Sequence, residues 1–268
     1  MGSAPERPVV LGARHRRVVE VRRLVRHRGR RAEVVLEGRH IVTEAIEAGS
    51  SLVTVVVAES GWDDPAVAEV VARIDPVTEL ILVRDHVLEG LATTTTPQPM
   101  LAIAERPEVA MPSACARGAL ALVLIEVSDP GNTGTIIRAA DAVAADLVVT
   151  VGGADPWGPK AVRASAGSVL HLPVVCDPDP IAVLTGLRSA GYAVVAADVR
   201  HGRPHHSGVL GLPAAIVLGS EARGLPRVLE PMIDRWTRIE MPGRAESLNV
   251  AMAATLLAFE ARRAAPAG

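Results

Sequence analysis

The chain has 268 residues, 49% of them hydrophobic, which is enough for packed cores in one large α/β domain or two smaller ones. Its apolar runs have the length of strands and fall far short of the roughly 20 residues that span a membrane, and Cys115 and Cys176 form neither a metal-ligand cluster nor a disulfide framework. We therefore expect a cytoplasmic protein without membrane segments or a metal site, and the net charge of −2 leaves the class of partner open.

Positive charge is concentrated at the start of the chain. Residues 1–40 contain 11 arginines and four glutamates, a local excess of seven positive charges. A phosphate-binding surface requires such a field, because each neutralised phosphate releases counterions; the alternative is a solvated basic arm. With three Trp, one Tyr and one Phe in the chain, stacking of bases on aromatic side chains is not expected. The candidate nucleic-acid contacts are Arg16, Arg17, Arg23, Arg30, Arg31 and Arg39.

The first third of the chain alternates helix and strand patterns. Apolar residues at helical spacing predict helices at 16–28, 39–49, 65–74 and 85–92. Apolar runs predict strands at 32–38, 52–58, 80–83 and 100–105. These elements predict a compact α/β domain over residues 1–106, and the prolines and small residues that follow predict a linker over 107–118.

A second alternation of strands and helices begins at residue 119. Mostly apolar segments predict strands at 120–127, 146–151, 172–176, 192–198, 214–219 and 236–241, with helices between and after them. Such a pattern is typical of a mostly parallel sheet with helices on both faces. Ligands bind these sheets beyond the carboxyl ends of the strands, so the loops that follow the strands are the candidate functional segments.

The first of these loops is SDPGNTGTIIRAADA, residues 128–142. Its turn residues extend to Asn132, and the helix that follows places Arg138 in the second helical turn. Both side chains are expected to face the ligand crevice; the alternative is a turn residue and an unrelated surface charge. No P-loop lysine and no G-x-G-x-x-G pattern is present, so the usual nucleotide-binding motifs are excluded.

Two further loops carry polar residues after predicted strands. GSEARGL (219–225) begins with Gly219, where the backbone can approach a ligand closely, and contains Glu221; the alternative is a tight turn with an exposed acid. RIEMPGRAESLNVAMAATLLAFE (238–260) ends a strand near Met241 and opens an Ala-rich helix. Ser247 lies where an N-cap belongs, but Asn249 is a weak residue for a first helical turn, so a cap alone does not explain the pair.

In this order, NTGTIIRAADA, LGSEARGL and IEMPGRAESLNVAMAATLLAFE resemble the three signature motifs of the SpoU (TrmH) family of RNA ribose 2′-O-methyltransferases, in the SPOUT superfamily. The resemblance extends over about residues 119–263 and includes PWGPKAVRASAGSVLHLPVV (156–175). The first third, with RRAEVVLEGRHIVTEAIEAG and LATTTTPQPMLAIAE, is similar to the RNA-binding domain with a ribosomal-protein-like fold that precedes the catalytic domain in members acting on ribosomal RNA.

The resemblance implies a trefoil-knotted catalytic domain over residues 119–268, a homodimer in which both subunits build each active site, and S-adenosyl-L-methionine as cofactor. Transferred position by position, it implies a cofactor site of Leu218, Gly219, Ile239, Met241, Ser247 and Leu248. It assigns Arg138 to the ribose hydroxyl, and the residues that order the site around it are Asn132, Glu221, Ser247 and Asn249. Glu240 departs from the third motif, because family members commonly have proline at this place.

Methyl transfer to a ribose requires alignment of donor and acceptor and removal of the hydroxyl proton. A guanidinium with a pKa above roughly 12 is a poor base. Arg138 is therefore either transiently deprotonated in a dry site or binds the adjacent phosphate, which helps receive the proton; we favour the second version. The expected function is 2′-O-methylation of structured RNA, foremost ribosomal RNA. Two alternatives stay open: a SPOUT methyltransferase that modifies a base, and a non-catalytic RNA-binding factor in ribosome assembly.

Overall fold

The computed structural model describes residues 7–26 and 32–264. The chain divides into two compact units, one of Met1–Pro107 with Trp157–Arg163 and one of Glu108–Pro156 with Ala164–Gly268. None of the helices within the described ranges is both long enough and apolar enough to cross a membrane.

The first unit is built on a five-stranded sheet in the order β1-β4-β3-β5-β2, in which β5 is antiparallel to β2 and β3. Its strands are β1 (Val10–Leu11), β2 (Glu33–Glu37), β3 (Leu52–Ala58), β4 (Glu79–Val83) and β5 (Met100–Glu105). Its helices are α1 (Arg16–Arg26), α2 (Arg39–Glu47), α3 (Pro65–Val71) and α4 (Asp85–Glu89). Val18 and Val21 of α1 and Leu88 of α4 pack against Ile81 and Leu101 of the sheet in one core.

The predicted elements of this unit are all present, with ends that differ by a few residues. The first helix is described as far as Arg26, and the end predicted at residue 28 lies outside the described residues. β1 was not predicted, because a strand of two residues at the edge of a sheet has too few positions to show an apolar pattern.

The second unit is built on a seven-stranded sheet in the order β10-β12-β9-β11-β6-β7-β8, and every neighbouring pair is parallel. Its strands are β6 (Leu120–Ile125), β7 (Leu147–Val151), β8 (Val174–Cys176), β9 (Ala193–Ala197), β10 (Arg203–Pro204), β11 (Ala214–Leu218) and β12 (Arg235–Arg238). Its helices are α5 (Pro130–Ala142), α7 (Pro180–Ser189) and α8 (Val250–Arg263), whereas α6 (Pro159–Ala164), between β7 and β8 in the chain, belongs to the first unit as far as Arg163. The predicted parallel sheet is confirmed.

Helices cover both faces of this sheet, as the interior strand β6 shows. Ala121 and Val123 belong to a core that also contains Leu184 of α7. Leu122 and Leu124 are equally buried, and successive side chains of a strand point to opposite faces. They therefore lie on the face where α5 and α8 contact β6.

β12 ends at Arg238, three residues before the end predicted at Met241. Arg238 pairs with Pro204, the last residue of β10, after which the backbone leaves the sheet in the turn His205–Val209. The ladder ends there because no strand continues beside it, which leaves residues 239–249 as a loop leading to α8.

Candidate active site

A cavity of about 810 Å³ lies in the second unit at the carboxyl ends of β9, β11 and β12. It is lined by the segments 197–201, 218–224 and 247–250, together with Arg227, Ile239, Met241, Ala253 and Leu257. The position agrees with the rule that ligands bind parallel sheets at this edge. The structure brings all six predicted cofactor residues to this cavity: Leu218, Gly219, Ile239, Met241, Ser247 and Leu248.

Gly219 is required by the shape of its own loop. A Cβ atom at this position would lie 2.4 Å from the carbonyl carbon of Gly224 and 2.7 Å from Leu225 N, closer than side chains tolerate. The close approach results from a turn in which Gly224 N donates to Ser220 O (2.8 Å), while Gly224 adopts a φ of 65° that favours glycine. The two glycines therefore let the loop fold back beside the cavity.

Asn132 lies inside a helix, and its predicted position on a turn is wrong. α5 begins at Pro130, because the Asp129 side chain caps it by accepting a hydrogen bond from Asn132 N (2.9 Å) and proline suits the first helical turn. Arg138 consequently lies in the third turn of α5 rather than the second. The cap fixes the backbone of Asn132, while the side-chain amide remains available for other partners.

The N-cap of the final helix is Asn249, so the prediction that Ser247 has this role is wrong. Asn249 has non-helical backbone angles, and its Oδ1 accepts hydrogen bonds from Ala251 N (2.9 Å) and Met252 N (3.4 Å). Asparagine is among the preferred N-cap residues. The helix begins two residues later than predicted, and Asn249 therefore stands before the first turn, where it satisfies two backbone donors.

Side chains from all three motifs form one chain of hydrogen bonds. Asn132 Nδ2 donates to Glu221 Oε1 (2.7 Å), and Asn249 Nδ2 donates to Asn132 Oδ1 (3.0 Å). Because a carboxylate only accepts, Asn132 must turn its NH₂ group to Glu221 and its oxygen to Asn249. Asn249 then directs its own oxygen to the N-terminus of α8. The polarity of the chain is thus fixed from the carboxylate to the helix.

α5 and α8 lie side by side and run in the same direction. The Asn132–Asn249 bond joins their first turns, and at their far ends Arg262 of α8 donates to the carbonyl oxygens of Val143 (2.9 Å) and Ala144 (2.6 Å). The guanidinium satisfies carbonyl groups at the end of α5 and complements the negative end of its dipole. The first contact joins residues that are 117 positions apart in the sequence, and the second joins residues that are 119 apart. With the same offset along the paired helices, Arg138 of α5 lies beside residues 255–257 of α8.

Arg138 does not line the cavity of its own chain. It is exposed and stands six positions from Asn132, which corresponds to about 9 Å along the helix and a different helix face. Its guanidinium has no hydrogen bond or ion pair within the ranges 7–26 and 32–264. A single chain therefore brings Asn132, Glu221 and Asn249 together and leaves Arg138 apart from them.

Comparison with known proteins identifies the family. Residues 119–259 match the SpoU rRNA Methylase family, and residues 16–102 match the MRM3-like substrate binding domain. The chain belongs to the SpoU rRNA methylase family. The motifs that resembled this family in the sequence are therefore motifs of a SpoU protein.

Similar proteins cover almost the whole SpoU chain. The 23S rRNA (guanosine(2553)-2'-O)-methyltransferase RlmP of Bacillus subtilis is 29% identical over 229 residues, 85% of this chain and 88% of the relative. The crystal structure of an AdoMet-bound rRNA methyltransferase from Sinorhizobium meliloti has a TM-score of 0.82 and 31% identity, covering 92% of this chain and 94% of that one. The SpoU methyltransferase AviRb from Streptomyces viridochromogenes, in complex with AdoMet, has a TM-score of 0.81 and 29% identity, covering 93% and 98%. The predicted family and α/β fold class are confirmed.

One segment of the SpoU cavity, residues 197–201 at the end of β9, was not singled out from the sequence. Asp198 Oδ1 accepts hydrogen bonds from Arg200 N (2.7 Å) and His201 N (2.9 Å) and lies 3.1 Å from His201 Nδ1. Burial acts to raise the pKa of Asp198, but these donors outweigh it and hold the pKa below its usual range. No group of three or more His, Cys, Asp or Glu in the described ranges is arranged to hold a metal ion.

Two of the predicted RNA-contacting arginines form ion pairs within the first unit. Arg17 donates from Nε to both carboxylate oxygens of Glu79 (2.7 and 3.0 Å) and also pairs with Glu20. Arg16 pairs with Glu20 as well (3.0 Å). The hydrogen bond from Arg17 holds the pKa of Glu79 below its usual range. The charges of Arg16 and Arg17 are thus partly compensated before any RNA binds.

Of the other four predicted RNA contacts, the structure describes two. Arg23 and Arg39 are exposed, and their guanidinium groups have no ion pair with any residue in the described ranges. Arg30 and Arg31 lie outside the described residues. Arg23 and Arg39 therefore remain the described candidates with uncompensated charge.

Proposed function

We propose that this protein transfers the methyl group of S-adenosylmethionine to the 2′-hydroxyl of a ribose in ribosomal RNA. The observation that carries the proposal is the hydrogen-bonded chain of Glu221, Asn132 and Asn249, because it joins all three SpoU motifs beside one cavity. The name of the Bacillus subtilis relative, a 23S rRNA 2'-O-methyltransferase, supports the reaction. The match to a substrate binding domain supports RNA as the substrate of this chain.

The residues at the cavity suit an adenosyl group. Leu218, Ile239 and Leu248 offer apolar side chains, and Gly219 lets its loop fold back beside them. When bound, the cofactor would supply a methyl group on a positively charged sulfur, and in-line attack of an oxygen nucleophile on that methyl group would release the sulfur as a neutral thioether. We assign the binding of this cofactor to Leu218, Gly219, Ile239, Met241, Ser247 and Leu248.

Glu221, Asn132 and Asn249 act as positioning residues. Asn132 uses both its oxygen and its NH₂ group, and so does Asn249, so neither amide can rotate without breaking a hydrogen bond. Dipoles held in this way need no reorganisation when charge develops on the attacking ribose oxygen. The chain of bonds therefore keeps the three motifs in one arrangement during the reaction.

We also propose a homodimer in which Arg138 of one protomer acts in the cavity of its partner. α8 and the residue before its cap expose four apolar side chains at the spacing of one helix face: Leu248, Met252, Leu256 and Phe259. An exposed apolar stripe of this kind is typical of a surface that associates with another protein. Arg138 lies on the neighbouring helix α5, at the level of Leu256 of α8. A dimer formed through the exposed face of α8 would therefore bring Arg138 close to the partner protomer, which supports a role in the partner's cavity.

In this dimer Arg138 holds a phosphate next to the acceptor ribose rather than removing the proton itself. A guanidinium keeps its proton at neutral pH, because its pKa lies above roughly 12. Its planar fork matches two phosphate oxygens and fixes their position. A phosphate oxygen held beside the 2′-hydroxyl then helps receive the proton as the methyl group is transferred.

The remaining parts of the proposal concern topology, domains and location. β12 lies in the sheet between β9 and β10, which follow each other in the chain, and this insertion supports a trefoil knot formed by the chain after β11. We assign residues 1–106 to RNA binding, 107–118 to a linker and 119–268 to catalysis. We place the protein in the cytoplasm, where a ribosomal RNA substrate is available to it.

The test of the activity uses purified protein, labelled S-adenosylmethionine and ribosomal RNA from cells that lack the protein. After digestion to nucleosides, we expect the label in one 2′-O-methylated nucleoside, at a position that is unmodified in the deletion strain. Label on a base would show a base methyltransferase instead. Absence of transfer, with RNA binding intact, would favour the non-catalytic assembly factor.

The test of the dimer mixes two variants that we expect to be inactive alone: Arg138→Ala, which lacks the guanidinium, and Gly219→Val, whose side chain would collide with the loop beside the cavity. If Arg138 acts in its partner's cavity, a mixed dimer has one complete site, because the intact Arg138 serves the intact cavity. Random exchange makes half of the dimers mixed, so about a quarter of the wild-type activity should return. If Arg138 serves its own cavity, no site is complete and the mixture stays inactive.

A further inference from the structure

The cavity is lined by six ionisable side chains, four of which already have partners. Glu221 accepts from Asn132, and Arg223 Nη2 pairs with Glu126 Oε2 (2.6 Å). Asp198 and His201 are bonded to each other. The remaining two are arginines, Arg200 and Arg227, both exposed, and neither guanidinium has an ion pair or hydrogen bond with a residue in the described ranges.

The backbone beneath both arginines is anchored. Arg200 N donates to Asp198 Oδ1 (2.7 Å), which fixes the turn after β9. Arg227 opens the 3₁₀ turn Arg227–Met232, which the fully buried Leu229 holds against the core. β9 and β11 are neighbours in the sheet, so the two loops that follow them place Arg200 and Arg227 on one cavity. The backbone therefore holds both arginines beside the cavity, while their guanidinium groups make no hydrogen bond or ion pair with the described residues that would fix them in place.

We infer that Arg200 and Arg227 bind a phosphodiester of the RNA substrate that flanks the methylated ribose. The inference rests on the proposed function and adds a substrate contact within the catalytic unit. Guanidinium forks match phosphate oxygens, and alignment of the ribose hydroxyl requires that the RNA be held close to the reacting atoms. The apolar wall of Leu218, Ile239 and Leu248 is suited to the cofactor, which leaves the exposed arginines for the polyanion.

The carboxylate of the cofactor's methionine part is another anion that Arg200 and Arg227 could bind, and the experiment separates it from the RNA phosphodiester. The variants are Arg200→Gln, Arg227→Gln and the double substitution. Arg117→Gln is the matched control, because Arg117 is an exposed arginine of the same unit. It precedes β6 and so lies at the amino ends of the parallel strands, away from the cavity at their carboxyl ends. The substrate is ribosomal RNA from cells lacking the protein, and binding to it is also measured without cofactor.

The double variant should raise the KM for RNA about tenfold and reduce the slope of log KM against log salt by roughly 0.7 for each phosphate that is no longer bound. Affinity for S-adenosylmethionine should stay unchanged, the control should behave as wild type, and Arg→Lys variants should recover most of the RNA affinity. A KM equal to that of the control would overturn the inference.

Weaker binding of S-adenosylmethionine by the double variant, with unchanged binding of methylthioadenosine, would also overturn it, since only the first compound has the carboxylate. Failure of the proposed function is distinguishable, because it appears as absent ribose methylation by the wild type. If the wild type does not methylate ribose, the affinity of the variants for RNA, measured without cofactor, still tests whether the two arginines bind RNA.

Discussion

Exchanging the acid and the amide between Glu221 and Asn132 tests whether the hydrogen bonds of Glu221, Asn132 and Asn249 order the site. Asn132→Asp keeps the size of the side chain but replaces the donating NH₂ group with a carboxylate oxygen, 2.7 Å from Glu221 Oε1. Two unit charges at that distance repel by about 1.5 kcal/mol even at the dielectric constant of water. One donated hydrogen bond to a charged acceptor is lost as well, which is worth about 1.5–3 kcal/mol. Because Glu221 is exposed, we expect the lower end, about 3 kcal/mol in total.

A second substitution, Glu221→Gln, should rescue the first. The amide that it introduces is able to donate to the carboxylate at position 132, which still accepts from Asn249, so the lost bond is replaced and the pair again carries one negative charge. Methyl transfer and urea unfolding are measured for the wild type, both single variants and the double variant, and the coupling energy follows from the cycle. An Asn132→Asp variant as active as wild type, or a double variant no better than Asn132→Asp, would show that the chain does not order the site.

Three further predictions separate roles that the structure combines. Asn249→Asp keeps the cap of α8 but cannot donate to Asn132, so methyl transfer should fall with little loss of stability, whereas Asn249→Ala should also cost about 1 kcal/mol in urea unfolding. Arg138→Lys should keep RNA affinity and lose nearly all turnover, and calorimetry should show that Arg138→Ala still binds S-adenosylmethionine. Because Arg17 lowers the pKa of Glu79 in the folded state, their pairing stabilises the fold above the ordinary pKa of 4.5 and is lost as pH falls through the lower, folded-state value. Arg17→Met should therefore be less stable than wild type at pH 7 and equally stable at strongly acid pH.

The sheet of the second unit could be predicted because its central strands are buried on both faces. β6 and β11 consist entirely of buried apolar residues, so the pattern is visible without any knowledge of their neighbours. β10 was missed, because its two residues have no pattern and its only signal is pairing with β12. The order of strands is likewise a property of the fold, and Asp198 enters the cavity only because β9 lies beside β11.

The motifs predicted Asn132, Glu221 and Asn249, whose side chains the structure joins by hydrogen bonds, but the local positions predicted for Asn132 and Ser247 are wrong. The sequence favours Ser247 as a cap, because serine precedes an Ala-rich segment, yet the helix starts where Asn249 can cap it and bond to Asn132 at once. The start of α5 is likewise set by its cap: Asp129 caps the helix, so Asn132 lies within its first turn rather than on the preceding loop. Local propensity permits several starting points, and contacts between distant loops select one.

Glu240 shows how the third SpoU motif tolerates its departure from proline. Ile239 and Met241 on either side line the cavity, but Glu240 does not, and its carboxylate lies 3.6 Å from Arg238 Nη2 and 3.8 Å from His206 Nε2. Proline restricts the backbone here through its ring, whereas Glu240 contacts the last residue of β12 and the turn that follows β10. These exposed pairs are individually weak, but they lie outside the cavity and leave its apolar lining unchanged. Glu240 therefore bears on how the turn is held and not on which groups line the cavity.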